Sequence, residues 1–294
     1  MDGYRSMEIH AECPFNLNKT LSLGQAPRWA YNRKTGWWYG VVKDSVIKIR
    51  QDGNILYFSG CSEKFCREYF SLEYDIKGFY NHFPDDPNMK KAIEKNYGLR
   101  ITVQDPWECL CFQLSVNKKR VIPKVDSFTR ISNKLGEPIE LDDMTFHTYP
   151  SAANILEKGI SALKSCNIGY KAKNIYLAAE KTSEDPLWTN RILNMSNNDA
   201  ISYLCNFKGI KPNVAEWILL FSFKCYSVFP VDSHIRKYFF ETYLSGLPPV
   251  KIFDATTDRI IKNNARDYFG EYSGYALEYL FAERLRQKRF FKIT

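Results

Sequence analysis

The spacing of apolar residues changes once along this chain, and that change constrains the fold more than any other feature. Over the first 60 residues the pattern is that of strands. Trp37-Trp38-Tyr39-Gly40-Val41-Val42 leads to Ser45-Val46-Ile47-Lys48-Ile49-Arg50, and Gln51-Asp52-Gly53-Asn54 then precedes Ile55-Leu56-Tyr57-Phe58. A polar turn containing Asp-Gly between two such runs predicts an antiparallel hairpin. From residue 62 the period becomes helical. Short helices are expected over 63–70 and 89–97, with Pro84 and Pro87 breaking the chain between them. Beyond Asp105 nearly everything fits helices, over 105–117, 121–135, 150–164, 170–184, 187–194, 197–206, 212–223, 232–244, 251–263 and 273–288. The pattern predicts an α+β chain: an N-terminal antiparallel β domain with flanking helices over 1–104, packed on an all-α domain over 105–294.

Composition narrows the class. With 294 residues, 45% apolar and 25% charged, the chain can bury a sizeable core, and disorder, collagen and a disulfide scaffold are poor readings. The eight cysteines are irregularly spaced with no C-x-x-C, and Met1 to Thr20 has no apolar leader. Free thiols in a reducing compartment are therefore expected, cytoplasmic or nuclear rather than secreted. No cysteine follows Cys225, which excludes a C-terminal iron–sulfur loop, and the four histidines lie far apart. No metal and no cofactor are expected. No apolar run is long enough for a membrane span. The net charge of +8 fits either a solvated basic surface or a polyanionic partner.

The most informative segment is Leu204-Cys205-Asn206-Phe207-Lys208-Gly209-Ile210-Lys211-Pro212-Asn213-Val214-Ala215-Glu216-Trp217. One helix ends, a short turn contains Gly209, and a second helix starts near Pro212. The N–H groups of such a turn can hold a phosphate, and Lys208 and Lys211 add charge there. Alone this is an ordinary helix pair. Phe229-Pro230-Val231-Asp232-Ser233-His234 follows, and alone Asp232 reads as a helix cap.

Together the two segments resemble the helix-hairpin-helix and aspartate signature of a base-excision superfamily, and in particular the 8-oxoguanine DNA glycosylase family. Gly24-Gln25-Ala26-Pro27-Arg28-Trp29 is similar to that family's Gly-Gln-x-Phe-Arg-Trp strand motif. Asp105-Pro106-Trp107-Glu108 matches its Asp-Pro-x-Glu helix start, and Gly169-Tyr170-Lys171-Ala172-Lys173 its Gly-Tyr-Arg-Ala-Arg loop. Gly274-Tyr275-Ala276 and Leu280-Phe281-Ala282 match its last helix. The resemblance covers about residues 14–290 and implies a nucleotide pocket between the two domains.

What the resemblance implies can be carried over by position. Asp232 takes the place of the carboxylate essential for breaking the N-glycosidic bond. A carboxylate there stabilises a sugar-cation-like transition state and orients or deprotonates a nucleophile, and the start of a helix favours its ionised form. His234 matches a DNA-backbone contact, Tyr170 an aromatic wedge, and Lys171 a basic residue at the same opening. Phe281 matches the aromatic that stacks on the flipped base, and Gly24 the glycine whose backbone reads the damaged purine.

The departures matter more. The family's Schiff-base lysine falls at Asn213, and an amide cannot form an imine. A base-reading glutamine is replaced by Leu277, which has no donor or acceptor. A small pocket residue becomes Trp217. Lys118-Lys119-Arg120 replaces an Asn-rich segment that reads the orphaned base, and Lys211 replaces a hairpin glycine. The expected activity is a monofunctional DNA glycosylase that uses Asp232 and water, leaves an abasic site, and acts on a modified base other than plain 8-oxoguanine, a bulky or hypermodified base in foreign phage DNA included. A non-catalytic DNA-binding relative, or a bifunctional enzyme using Lys211 or Lys208, also fits. The partner expected is double-stranded DNA, with no membrane and no obligate protein partner, and the chain is expected to act as a monomer.

Overall fold

A computed structural model describes residues 3–115, 124–244 and 255–287. Its strands β1 (Arg5–Glu8), β2 (Trp29–Asn32), β3 (Trp37–Val42), β4 (Ser45–Asp52) and β5 (Ile55–Ser59) form one antiparallel sheet in the order β1-β5-β4-β3-β2. The Asp-Gly turn lies where the sequence places it: Asp52 pairs with Ile55, and Gly53 takes the left-handed φ of 56° that the tight turn requires. Gly40 has a different use. It pairs with Trp29 across β2 and β3, and a Cβ at Gly40 would stand 2.3 Å from the indole. The glycine thus lets the Trp29 ring lie flat on the sheet, where its N–H donates to the Tyr69 hydroxyl at 2.8 Å.

The helices are α1 (Leu17–Leu21), α2 (Glu63–Tyr69), α3 (Ile76–Asn81), α4 (Pro87–Asn96), α5 (Pro106–Ser115), α6 (Lys124–Leu135), α7 (Ala152–Lys164), α8 (Lys171–Glu184), α9 (Trp188–Leu193), α10 (Asn197–Cys205), α11 (Pro212–Ser222), α12 (Ser233–Tyr243), α13 (Ala255–Phe269) and α14 (Ser273–Gln287). Two departures from the sequence reading stand out. The stretch expected to be all-helical contains a hairpin, β6 (Pro138–Leu141) and β7 (Met144–His147). Its turn residues Asp142 and Asp143 both have positive φ, 51° and 57°. The hairpin is held by the sheet: Lys48 and the Tyr39 hydroxyl both engage the Asp142 carboxylate, at 2.8 and 2.7 Å, and Phe146 stacks on Tyr39. Four-residue strands carry too little local signal to be read before their partner is known. The helix expected over 251–263 is described from Ala255 and runs on to Phe269.

Two hydrophobic clusters result. A smaller one lies under the sheet around Ile49, Leu56, Phe58 and Phe70, and a larger one lies among the helices and takes in Ile76 to Ile101 as well. The run Arg100–Gln104 stitches them together. Gln25 donates to the Arg100 carbonyl at 2.8 Å and accepts the Thr102 N–H, and Val103 donates to the Tyr69 carbonyl. Gln104 donates its N–H to the Phe221 carbonyl at the end of α11. The fully buried Arg100 guanidinium donates to the carbonyls of Pro14, Ser71 and Tyr74. These bonds tie the sheet to α11.

Candidate active site

The turn between α10 and α11 is tight because its apolar residues are drawn inward while its lysines are not. Phe207 and Ile210 are buried, whereas Lys208 and Lys211 are exposed. Gly209 has φ +98°, and a Cβ there would come within 2.5 Å of the Asn174 amide nitrogen on α8. Only glycine fits both the dihedral and the space. Pro212 then starts α11, where its missing N–H costs nothing. Two exposed lysines at the start of α11 make an electropositive corner suited to a phosphate.

Asn213, one residue into α11, reaches across to the loop before α12. Its Oδ1 accepts the Val231 N–H at 2.6 Å, and its Nδ2 donates to the Val231 carbonyl. The amide therefore clasps both backbone groups of the residue preceding Asp232. Asp232 in turn caps α12: its Oδ1 accepts the Ile235 N–H at 2.8 Å, and its carbonyl accepts the Arg236 N–H. Arg236 forms a two-point pair with Asp258 that joins α12 to α13. Asp232 is half-buried, so its position is set from both sides, by the clasp and by the helix it caps. The sequence reading expected a lysine at position 213 from the resemblance; the structure adds what the asparagine holds.

The remaining residues named from the sequence distribute as follows. Trp217 is half-buried on α11 and stacks on Phe221 with centroids 5.2 Å apart. On α14, Leu277 is fully buried and Phe281 half-buried; all three join the larger core. Gly24 is exposed with φ +75°, at the start of the segment that Gln25 anchors. Tyr170 stands 78% exposed ahead of α8. Lys171 does not share that exposure: it is buried and donates to the Ser115 carbonyl at the end of α5, at 2.6 Å. Burial, and then the Arg130 charge, push its amine below the usual lysine range. Lys118, Lys119 and Arg120 lie outside the described residues, as does the His234 side chain.

One acidic residue of this region escaped the sequence reading. Glu278 on α14 is buried, and burial followed by the negative charge of Asp232 pushes its carboxyl up to about 8. Its signal in the sequence is a single glutamate in the run Tyr275-Ala276-Leu277-Glu278-Tyr279-Leu280. Nearer the sheet, Glu108 is raised to about 7, chiefly by burial, although Arg28 lies 3.7 Å away. No group of histidine, cysteine or acidic residues among the described residues is arranged to hold a metal ion. No helix among them is long and apolar enough to cross a membrane.

The chain is similar to known proteins over most of its length. Residues 8–110 match the family model of the 8-oxoguanine DNA glycosylase N-terminal domain. A Methanothermobacter thermautotrophicus protein named "Probable N-glycosylase/DNA lyase" is 30% identical over 246 residues, 74% of this chain and 76% of that one. The structure of MBOgg1 in complex with a low-affinity DNA ligand superposes with a TM-score of 0.86 at 25% identity, over 98% of this chain and 100% of that one. The Clostridium acetobutylicum 8-oxoguanine glycosylase/lyase, in complex with double-stranded DNA containing cytosine opposite 8-oxoguanine, gives a TM-score of 0.82 at 27% identity, over 94% and 93% of the two chains.

Proposed function

The chain belongs to the 8-oxoguanine DNA glycosylase family, within the helix-hairpin-helix glycosylases, and from that premise we propose that it is a monofunctional DNA N-glycosylase. The observation that carries this reading is the Asn213 clasp. Where the family has an amine, this chain has an amide whose oxygen and nitrogen are both engaged by Val231. Such a group cannot attack C1′. Water takes that role, and Asp232 orients it and stabilises the positive charge that develops on the sugar. The C1′–N bond breaks with its electron pair going to the base. The water oxygen then bonds to C1′, its proton passes to Asp232 and on to the departed base, and the products are an abasic site and the free base.

The base is a modified one other than plain 8-oxoguanine. Leu277 offers no hydrogen bond to a Watson–Crick edge, and Trp217 puts an indole where the family has a small side chain. Such side chains offer a base stacking and apolar contact in place of hydrogen bonds, which suits a decorated base, with the hypermodified bases of phage DNA as the extreme case. Double-stranded DNA is the substrate, approached by the exposed Lys208 and Lys211 and by Tyr170.

The deciding experiment is mass spectrometry of bases released from a panel of modified duplexes that includes 8-oxoguanine, alkylated bases and phage genomes. Free base and an alkali-labile site without spontaneous nicking are expected. Asp232→Asn should lower release by ~10²–10³-fold or more while duplex binding persists. Borohydride trapping of a covalent protein–DNA adduct would overturn the monofunctional reading, and absence of release from every DNA would reduce the chain to a binding module.

A further inference from the structure

The turn that leads from the sheet into α2 carries two thiols in contact. Ser62 caps α2: its hydroxyl accepts the Phe65 N–H, and its carbonyl accepts the Cys66 N–H. Cys61 therefore stands just before the cap and Cys66 four residues after it. Side chains at those two positions commonly pack together as a staple across a helix start. Here both are cysteines, and their sulfurs lie 3.6 Å apart. Cys66 is fully buried in the smaller cluster, and Cys61 is half-buried against it.

The two sulfurs are not equivalent. The hydrogen bond from Cys66 holds the Cys61 thiol below its usual range, against the burial that would raise it, and the Arg5 charge adds to the lowering. The same bond, together with burial, pushes Cys66 up. Burial likewise pushes up the thiols of Cys109, Cys111, Cys166, Cys205 and Cys225. The thiolate is the form that attacks an oxidant, so Cys61 is the sulfur that reacts first and Cys66 is the thiol placed behind it to resolve the product. A disulfide needs about 2.05 Å between sulfurs, so this pair has about 1.5 Å to close. Cys61 can supply that movement, because it precedes the helix and is half-buried.

We propose that Cys61 and Cys66 are a modification site for hydroperoxides, at which they form a reversible disulfide that clips the end of β5 to the first turn of α2. With hydrogen peroxide, the Cys61 thiol gives up its proton and its sulfur attacks one peroxide oxygen. The O–O bond breaks, hydroxide leaves and takes up that proton as water, and Cys61 becomes a sulfenic acid. The Cys66 sulfur then bonds to the Cys61 sulfur, the S–O bond breaks, and the leaving hydroxide takes the Cys66 proton as a second water. The two sulfurs together lose two electrons and the peroxide gains them. A thiol reductant reverses the change, so the pair stays reduced in a reducing compartment until peroxide rises. The far end of α2 gives the clip its structural reach: the Tyr69 hydroxyl accepts from Trp29, and its carbonyl accepts the Val103 N–H of the run that joins the two clusters.

The test treats the folded full chain with hydrogen peroxide, blocks the remaining thiols, and digests with trypsin. Lys64 lies between the two cysteines, so cleavage after Arg50, Lys64 and Arg67 separates them into peptides 51–64 and 65–67. A linked pair of these peptides, lighter by two hydrogens than their sum and separated by a thiol reductant, is expected. In Cys66→Ala, peroxide with dimedone should leave the sulfenic-acid adduct on Cys61. In Cys61→Ser, no link should form and Cys66 should stay a thiol. The linked protein should also unfold at a higher midpoint than the reduced one, because the closed ring restricts the unfolded chain. Peroxide treatment that leaves both peptides unlinked, or that oxidises only other cysteines, overturns the proposal. So does an adduct on Cys66 rather than Cys61, and an unchanged or lower midpoint in the linked protein removes the clip.

Discussion

At the residue scale, position 213 shows why a substitution is more than the loss of the group it replaces. The Asn213 amide both accepts from and donates to Val231. Lysine donates but cannot accept, so Asn213→Lys would strand the Val231 N–H, and Asn213→Ala would strand both groups. Val231 is buried, so the loss is not repaired by water. Each variant should be destabilised by about 1–3 kcal/mol, read as a lower denaturant midpoint. Equal stability of Asn213→Ala and the parent would show that the clasp contributes nothing. Asn213 drew attention in the sequence because it falls in a segment that resembles the family's motif. The clasp was not, because it depends on a backbone partner 18 residues away whose direction only the folded loop defines. Glu278 was hidden for a similar reason: a lone glutamate on a helix reads as solvated until its face is known to be buried.

At the element scale, the long helices and the Asp-Gly hairpin were read well and the four-residue strands of the β6–β7 hairpin were not. The sequence placed the helix pair 197–206 and 212–223, and the observed α10 and α11 end within a residue of those limits. Their period and their Gly and Pro punctuation are local properties of the chain. The β6–β7 hairpin went unseen because its stability comes from Lys48 and Tyr39, distant in sequence. The turn that joins α10 to α11 can be tested directly. Gly209→Ala must adopt a φ near +98° and push against Asn174. A cost of about 1–3 kcal/mol is expected from the strained dihedral, together with weaker duplex binding, because the N–H groups at the start of α11 would be re-aimed. Gly209→Ala combined with Asn174→Ala should recover the part of the cost due to crowding and leave the part due to φ. Full recovery would show that the turn does not need a left-handed residue.

At the scale of the whole molecule, a net charge of +8 has meaning only through its placement. Some of the lysines are internal fittings. Lys48 pairs with Asp142 across the two sheets, and Lys171 is buried against the Ser115 carbonyl. Others are exposed where the helix-hairpin-helix turn would meet a phosphate, Lys208 and Lys211 among them. Binding to a duplex through such groups releases condensed counterions, so affinity should fall linearly with salt on logarithmic axes. Removing one phosphate contact lowers the slope by about 0.9. Lys208→Gln and Lys211→Gln should therefore each flatten the salt dependence by roughly that amount, measured by fluorescence anisotropy on an unmodified duplex. Lys64→Gln, an exposed site in α2 on the other lobe, should leave the slope unchanged. If all three variants shift the slope equally, the charge acts as a diffuse cloud and the turn between α10 and α11 is not where the backbone is held. If only the first two do, the electropositive corner beside Asn213 is the part of the molecule that grips DNA, and Asp232, the carboxylate proposed for hydrolysis, is tied to that corner through the Asn213–Val231 clasp.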